Sequence, residues 1–245
     1  MNSETELIHL TTKQINIVEL VNRLTEIRDR IYDNKAVIVE KFPLLNDKID
    51  CRITGLSKLI NVINSSNLGC AFWAKNLLHH QWWIENTSFN DSDETLLRME
   101  FQNFIKLGLF HFSFSAIEST LRCIMRGIDP SAHFGAAVEF KRIYDDLIRN
   151  RLTAIRIDFI ELLDFFSALR NTIHNNGIYF HKSGNSISRT FKGKSYDFNY
   201  GQPIEFASWP LLLEVLSDAA NMLIVIVLDT NVISIPGDLI DPAST

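Results

Sequence analysis

One apolar stretch decides the fold: residues 96–127, which read LLRMEFQNFIKLGLFHFSFSAIESTLRCIMRG. At about 100° per residue, a helix over this stretch points its phenylalanines to nearly every side. There are five of them: Phe101, Phe104, Phe110, Phe112 and Phe114. A helix that is apolar on all sides is normally buried, and Gly127 and Pro130 mark its end. The stretch therefore predicts a long, buried helix.

Two amphipathic segments precede this helix. Residues 4–33 carry apolar side chains at a near-heptad spacing, and a second apolar face runs over residues 49–63. Pro43 separates the two segments, so the simplest arrangement is a helical hairpin. An aromatic helix follows and ends in a polar stretch at about residues 85–94, where Asp93 is placed to cap the long helix.

The pattern after the long helix changes from helical to extended. Helices are predicted over about residues 133–150 and from Ile157 to the Asn-Asn-Gly sequence that ends at Gly177, which is typical of a helix C-terminus. Residues 178–207 mix β-forming side chains with glycine-containing turns, which predicts an antiparallel ribbon. A last helix over residues 209–228 has one apolar face.

These elements predict a mainly α protein: a helical bundle with a small antiparallel β ribbon inserted before the C-terminal helix. The polar stretch before Asp93 is the expected boundary between two regions. The predicted organisation is an N-terminal helical region over residues 1–92, a main helical domain over residues 93–235 with the ribbon at about residues 178–207, and a tail over residues 236–245.

Composition narrows the class of function. Of 245 residues, 46% are hydrophobic and 22% are charged, as in an ordinary globular protein. The net charge of −5 argues against a broad nucleic-acid surface, although it is compatible with a local basic cleft. The three cysteines lie far apart and form no CxxC pair, which favours a reducing compartment over a disulfide framework or a zinc site.

The sequence also predicts a cytoplasmic protein with no membrane segment. The first residues, MNSETELIHL, lack the pattern of a signal peptide, and the longest apolar runs are too short to span a bilayer. No Walker loop, GxGxxG or GxSxG motif occurs, and HHQWW, residues 79–83, has no carboxylate at metal-binding spacing. We therefore expect no metal and no cofactor.

A candidate site lies in LRNTIHNNGIYF, residues 169–180. Arg170 and His174 lie one helical turn apart on the apolar side of their helix, so they must be paired or must line a cleft. The long helix offers a matching polar stripe at helical spacing: His111, Ser115, Glu118 and Arg122. A carboxylate at Glu118 is expected to orient Arg170, with His111 and Arg122 in supporting positions.

The segments LRNTIHNNG and FSAIESTLR resemble the HEPN superfamily over about residues 96–228. Members of this superfamily are small helical bundles that commonly dimerise, and many are metal-independent ribonucleases. The resemblance implies that Arg170 and His174 are the catalytic pair and that Asn171 is the polar residue beside the arginine. The family usually has a longer spacing than the three residues that separate the pair here.

The resemblance thus implies a metal-independent endoribonuclease that acts in the cleft of a homodimer, where a partner protomer supplies a second histidine as the acid. It also implies a toxic or antiviral defence effector of a prokaryotic system, with an antitoxin or another protein as partner. The residue types suit RNA cleavage. Histidine can manage the proton of the 2′-hydroxyl near neutral pH, and arginine can stabilise the charge that develops on the phosphate.

Two other interpretations stay open. Arginine and histidine are favoured in the last turn of a helix because they face the negative end of its dipole, so Arg170 and His174 need no catalytic role. The chain is then a non-catalytic HEPN-like interaction and dimerisation module with a degenerate site. The cations of the ribbon predict either a weak RNA-backbone patch or a hairpin kept soluble by its charge: Lys182, Arg189, Lys192 and Lys194.

Overall fold

The computed structural model describes residues 16–131 and 138–241. In these ranges the α-helices are α1 (Ile17–Lys41), α2 (Cys51–Phe72), α3 (His80–Asn86), α4 (Asp91–Ile128), α5 (Phe140–Asp146), α6 (Ile157–His174), α7 (Trp209–Leu228) and α8 (Thr230–Ile233). Two antiparallel strands, β1 (Ile187–Phe191) and β2 (Lys194–Phe198), pair between α6 and α7. The predicted helical bundle with a small ribbon before the last long helix is confirmed.

α1 and α2 form the predicted hairpin. Asp50 caps α2 by accepting a hydrogen bond from the Arg52 N–H at 2.8 Å. Asn67, near the end of α2, donates to the Thr25 hydroxyl near the start of α1 at 3.3 Å, so the two helices run antiparallel. α1 continues past the predicted end at residue 33 to Lys41, while its predicted start at residue 4 lies outside the described residues.

α4 contains 38 residues and is less buried than its sequence predicts. Its N-cap is Asn90 and not Asp93; Asn90 Oδ1 accepts from the Asp93 N–H at 3.0 Å, and the Asp93 carboxylate accepts in return from the Asn90 N–H. Phe114 is buried, but Phe104 and Phe112 are 69% and 61% exposed. The prediction of a helix buried on every side is therefore wrong for one face.

α2 and α4 pack tightly against each other at Gly55 and Thr120. A Cβ atom on Gly55 would lie 2.9 Å from Thr120 Cγ2 and closer still to its Oγ1, so a larger residue does not fit without movement. The hydroxyl of Thr120 is fixed, because it donates to the Ala116 carbonyl oxygen at 2.7 Å. This crossing joins the N-terminal hairpin to the long helix.

α7 lies at the centre of the hydrophobic core. It packs against α1, α2, α4 and α6, and one cluster of buried side chains runs from Leu20 to Leu239. The predicted regions of residues 1–92 and 93–235 therefore share a core, and their division stays a prediction. Contrary to the expectation from apolar run length, α7 is long and apolar enough to cross a membrane, but most of it is buried inside the protein.

The chain after α8 is bound to the start of α2. Arg52 is fully buried, forms an ion pair with Asp50 at 2.6 Å and donates to the carbonyl oxygen of Gly237 at 2.7 Å. The N–H of Leu239 donates to Asp50 Oδ2 at 3.1 Å. The segment predicted as a tail is thus held against α2 as far as Asp241, and its last residues, 242–245, lie outside the described part of the chain.

α5 and α6 pack against the second half of α4, and the ribbon packs against α6. The rings of Phe110 in α4 and Phe166 in α6 lie 4.5 Å apart, and Phe165 of α6 stacks on Phe191 of β1 at 5.1 Å. The helix predicted over residues 133–150 appears as α5 followed by one π-helical turn, and residues 132–137 lie outside the described ranges. This packing leaves a cleft between α4, α5, α6 and the ribbon.

Candidate functional site

Arg170 and His174 lie in the last turns of α6, as their sequence predicts. The helix ends there because Asn176 and Gly177 adopt positive φ angles of 54° and 82°, and the Gly177 N–H donates to the Thr172 carbonyl oxygen at 2.9 Å. An Asn-Asn-Gly sequence favours this ending, since asparagine and glycine tolerate the left-handed conformation. The helix end places both side chains against α4.

The guanidinium of Arg170 is half-buried at the seam between α4 and α6. It lies 5.4 Å above the ring of Phe114, and its Nη1 donates to Asn171 Oδ1 at 3.0 Å. Its Nε is buried and has no hydrogen-bond partner among the described residues. Arg170 therefore keeps donor capacity for a ligand, and Asn171 is in a position to orient it.

His111 of α4 lies beside His174 of α6, with ring centroids 5.8 Å apart and ring planes inclined by 31°. Burial lowers the pKa of His111, and the positive charges of Arg170 and His174 lower it further. This lowered pKa favours the neutral form of His111. His174 is exposed to solvent. The resemblance places a second histidine in a partner protomer, but this fold supplies one in the same chain.

The expected contact between Glu118 and Arg170 does not form in the described structure. Glu118 Oε1 accepts instead from Arg122 of the same helix, at 2.9 Å from Nε and 2.7 Å from Nη2. Residues four apart on a helix are neighbours before any tertiary packing, so this pair forms locally. Glu118 still lines the same cleft as Arg170.

The cleft has a volume of about 460 Å³, and Arg170 lines it whereas His111 and His174 do not. Three carboxylates line it, and each is paired with a cation: Glu118 with Arg122, Asp164 with Lys141, and Glu139 with Lys182. Arg170 and Arg189 line it without a carboxylate partner among the described residues. The cleft therefore has an excess of positive charge inside an acidic protein.

The ribbon cations that were predicted to bind RNA separate into two groups. Lys182 and Arg189 line the cleft. Lys192 and Lys194 do not line it. Lys192 lies at the hairpin turn and is held by two carboxylates of α7, Glu214 at 2.8 Å and Asp218 at 2.9 Å. The expected patch of four cations is thus reduced to two at the cleft, because α7 binds Lys192 elsewhere.

Two tyrosines of the cleft escaped the sequence-based prediction. Tyr144 donates a short hydrogen bond to Asp164, and burial and that carboxylate raise the pKa of its hydroxyl. Tyr179 is only 2% exposed, and its hydroxyl has no hydrogen-bond partner among the described residues. Within the segment GIYF a tyrosine is typical of an ordinary β-forming position, so no sequence signal marks this hydroxyl.

The fold also brings carboxylates to HHQWW, where sequence spacing predicts none. Ligand atoms of His80, Asp91 and Glu94 lie within 4.8 Å of one another, which is close enough for a shared metal ion. Glu94, however, already binds His80 Nδ1 at 2.6 Å and forms an ion pair with Arg98. The contact with Glu94 raises the pKa of His80, and the two contacts together occupy the carboxylate that a metal would need.

Comparisons with family models, curated proteins and solved structures find no match to this chain. The resemblance to the HEPN superfamily therefore depends on the motif residues alone.

Proposed function

We propose that the protein is a HEPN-like, metal-independent endoribonuclease whose acid–base pair is His111 and His174. The observation that carries this proposal is the arrangement of both histidines and Arg170 at one seam, with the two rings 5.8 Å apart. Cleavage by the 2′-hydroxyl needs a base, an acid and a cation, and these three side chains supply all of them. The substrate, RNA, follows from the resemblance and from the basic cleft beside Arg170.

Each side chain takes a role that its surroundings favour. Neutral His111 accepts the proton of the 2′-hydroxyl as the O2′–P bond forms. Arg170 stabilises the negative charge on the phosphate oxygens, with Asn171 holding its guanidinium. His174 acts as the acid and donates a proton to the 5′ oxygen as the P–O5′ bond breaks. The products are a 2′,3′-cyclic phosphate and a 5′-hydroxyl.

A second candidate function has its own support. Phe104 and Phe112 are exposed on α4, on the part of the helix that leads to His111, and the two phenylalanines border an apolar groove between α2 and α4. Exposed apolar patches on soluble proteins often mark interaction surfaces. In this alternative the protein is a HEPN-like interaction module without catalysis that binds a partner through this surface. Arg170 and His174 then only stabilise the end of their helix.

Substitution of the three site residues separates the two functions. We expect His111→Ala, Arg170→Ala and His174→Ala each to slow cleavage of single-stranded RNA by about 10²–10⁴-fold, since each removes acid, base or charge stabilisation. His79→Ala is the matched control, because this exposed histidine lies at the start of α3. Cleavage is measured in EDTA, and the product end is identified as a cyclic phosphate.

A folded His174→Ala protein that cuts RNA at the parent rate overturns the proposed chemistry. A parent protein that cuts no RNA in a mixed-sequence pool overturns the nuclease and leaves the interaction module. Circular dichroism and thermal unfolding of each variant establish that the fold is retained.

A further inference from the structure

Hydrogen-bond donors without acceptors border the cleft beside the histidine pair. The Tyr179 hydroxyl and the Nε atoms of Arg189 and Arg170 are buried and have no partner among the described residues. A guanidinium N–H only donates, and a buried donor without an acceptor lowers stability. Three such donors on one cleft therefore point to a ligand that offers several acceptor oxygens.

The charges around these donors favour an anion. Every carboxylate that lines the cleft has its own cation, whereas Arg189 has no carboxylate partner among the described residues. Arg189 lines the cleft together with Tyr179 and Tyr144, and its positive charge opposes the rise that burial causes in the pKa of both hydroxyls. Arg189 is half-buried and its Nη1 donates to the Ser188 carbonyl oxygen at 3.0 Å, so a ligand reaches the buried Nε and the Tyr179 hydroxyl only when side chains of the cleft move.

An aromatic pair lies next to the buried donors. Phe180 lines the cleft and is 48% exposed, and Tyr200 beside it is 44% exposed. Their ring centroids lie 5.7 Å apart at an interplanar angle of 87°, an edge-to-face contact, and both rings remain about half exposed to solvent. Open aromatic faces beside cationic donors are the usual binding arrangement for unpaired nucleotides.

We propose that the cleft is a nucleotide subsite for single-stranded RNA, in which Tyr179 and Arg189 bind one phosphate and Phe180 stacks on the adjoining base. The choice of RNA among phosphate esters rests on the proposed function. Arg170 borders both the histidine pair and the cleft, so the bound phosphate neighbours the one that is cleaved. Duplex RNA does not fit this subsite, because its bases are already stacked and paired.

Binding is measured by fluorescence anisotropy with a labelled 2′-O-methyl oligonucleotide, which lacks the attacking hydroxyl and is not cleaved. Tyr179→Phe should weaken binding by about tenfold, since it removes one charge-assisted hydrogen bond. The same change should raise the melting temperature of the free protein by about 2–4 °C, because the buried hydroxyl no longer lacks an acceptor. Arg189→Gln should weaken binding similarly.

Two matched controls come from the same hairpin. Tyr196→Phe changes a buried tyrosine of β2 that does not line the cleft, and Lys194→Gln removes a ribbon cation outside it. Both should bind the oligonucleotide like the parent. Phe180→Ala should weaken binding of the oligonucleotide more than it weakens binding of inorganic phosphate, which carries no base.

The outcomes separate this subsite from the proposed catalysis. Binding by Tyr179→Phe at the parent affinity overturns the subsite, as does equal affinity for duplex RNA. Inorganic phosphate that competes as well as adenosine monophosphate overturns the base contact and leaves a simple anion site. If the parent binds single strands through Tyr179 and Arg189 but cleaves none, the nuclease fails and the subsite stands. If RNA is cleaved with an unchanged KM in Tyr179→Phe, the subsite fails and the nuclease stands.

Discussion

At the scale of single residues, two histidines experience opposite electrostatic surroundings. His111 is partly buried between Arg170 and His174, and burial and both positive charges lower its pKa. For His80 the carboxylates prevail: its contact with Glu94, and the charge of Asp91, raise its pKa although the positive charge of Arg98 opposes this. The two histidines therefore change the stability of the protein in opposite directions as the pH falls.

Acidification should reveal His111 as a group that opposes folding. Because its pKa in the folded state lies below the ordinary value of 6.5, the unfolded chain binds more protons as the pH falls through that value. His111→Gln removes this penalty. We expect its free energy of unfolding, measured by urea titration at about pH 7.5 and about pH 5.5, to fall less on acidification than that of the parent.

His80→Gln is the matched control with the opposite sign. A raised pKa contributes stability that is fully present below the ordinary value and is lost as the pH rises through the folded-state value. The His80→Gln variant does not gain this stability on acidification. Its free energy of unfolding should therefore fall more between the two pH values than that of the parent. A His111→Gln variant that loses as much stability as the parent contradicts the placement of His111 between the two cations.

At the scale of elements, the close crossing of α2 and α4 at Gly55 allows a sharp test. Gly55→Ala should lower the free energy of unfolding by about 1–3 kcal/mol, since the new Cβ meets the side chain of Thr120. Gly108→Ala in α4 is the control, because no atom lies within 4 Å of its added Cβ. This change should stabilise the protein by about 0.5–1 kcal/mol through helix propensity. Equal stability of Gly55→Ala and parent, in urea titration, contradicts the crossing.

Some elements follow from local sequence and others do not. The end of α6 is encoded by Asn176 and Gly177, whose backbone conformation is a local property, and the bounds of α7 follow its apolar run. The exposure of Phe104 does not follow from local sequence. A helix that is apolar on all sides gives no indication of which side its neighbours will cover. The Glu118–Arg122 pair is again local, and the prediction overlooked it in favour of a long-range partner.

At the scale of the whole molecule, the site depends on how α4 and α6 pack. Sequence spacing puts Arg170 and His174 on one face of a helix, but it does not place His111 opposite them. Only the packing of Phe110 and Phe166 and of their neighbours brings the two helices into that register. Tyr179 also lines the cleft through long-range contacts, because its N–H donates to the Gln202 carbonyl oxygen at 3.0 Å and its own carbonyl oxygen accepts from the Gly201 N–H at 2.8 Å. The sequence therefore predicts that Arg170 and His174 belong to one site. It does not predict that His111 of the same chain completes that site, because this depends on tertiary packing.

Mixing of inactive variants tests whether one chain holds the complete site. If the acid–base pair lies within a protomer, His111→Ala and His174→Ala are both inactive, and no mixture of them contains a complete site. We expect no recovery on mixing and a cleavage rate per protomer that stays constant on dilution. Recovery on mixing would show instead that His111 of one chain acts with His174 of another. An active His111→Ala protein would show that His111 is dispensable. The second catalytic histidine would then have to come from a partner protomer. The intrachain pair is the expected result, since the fold already brings the two rings to 5.8 Å without a second copy.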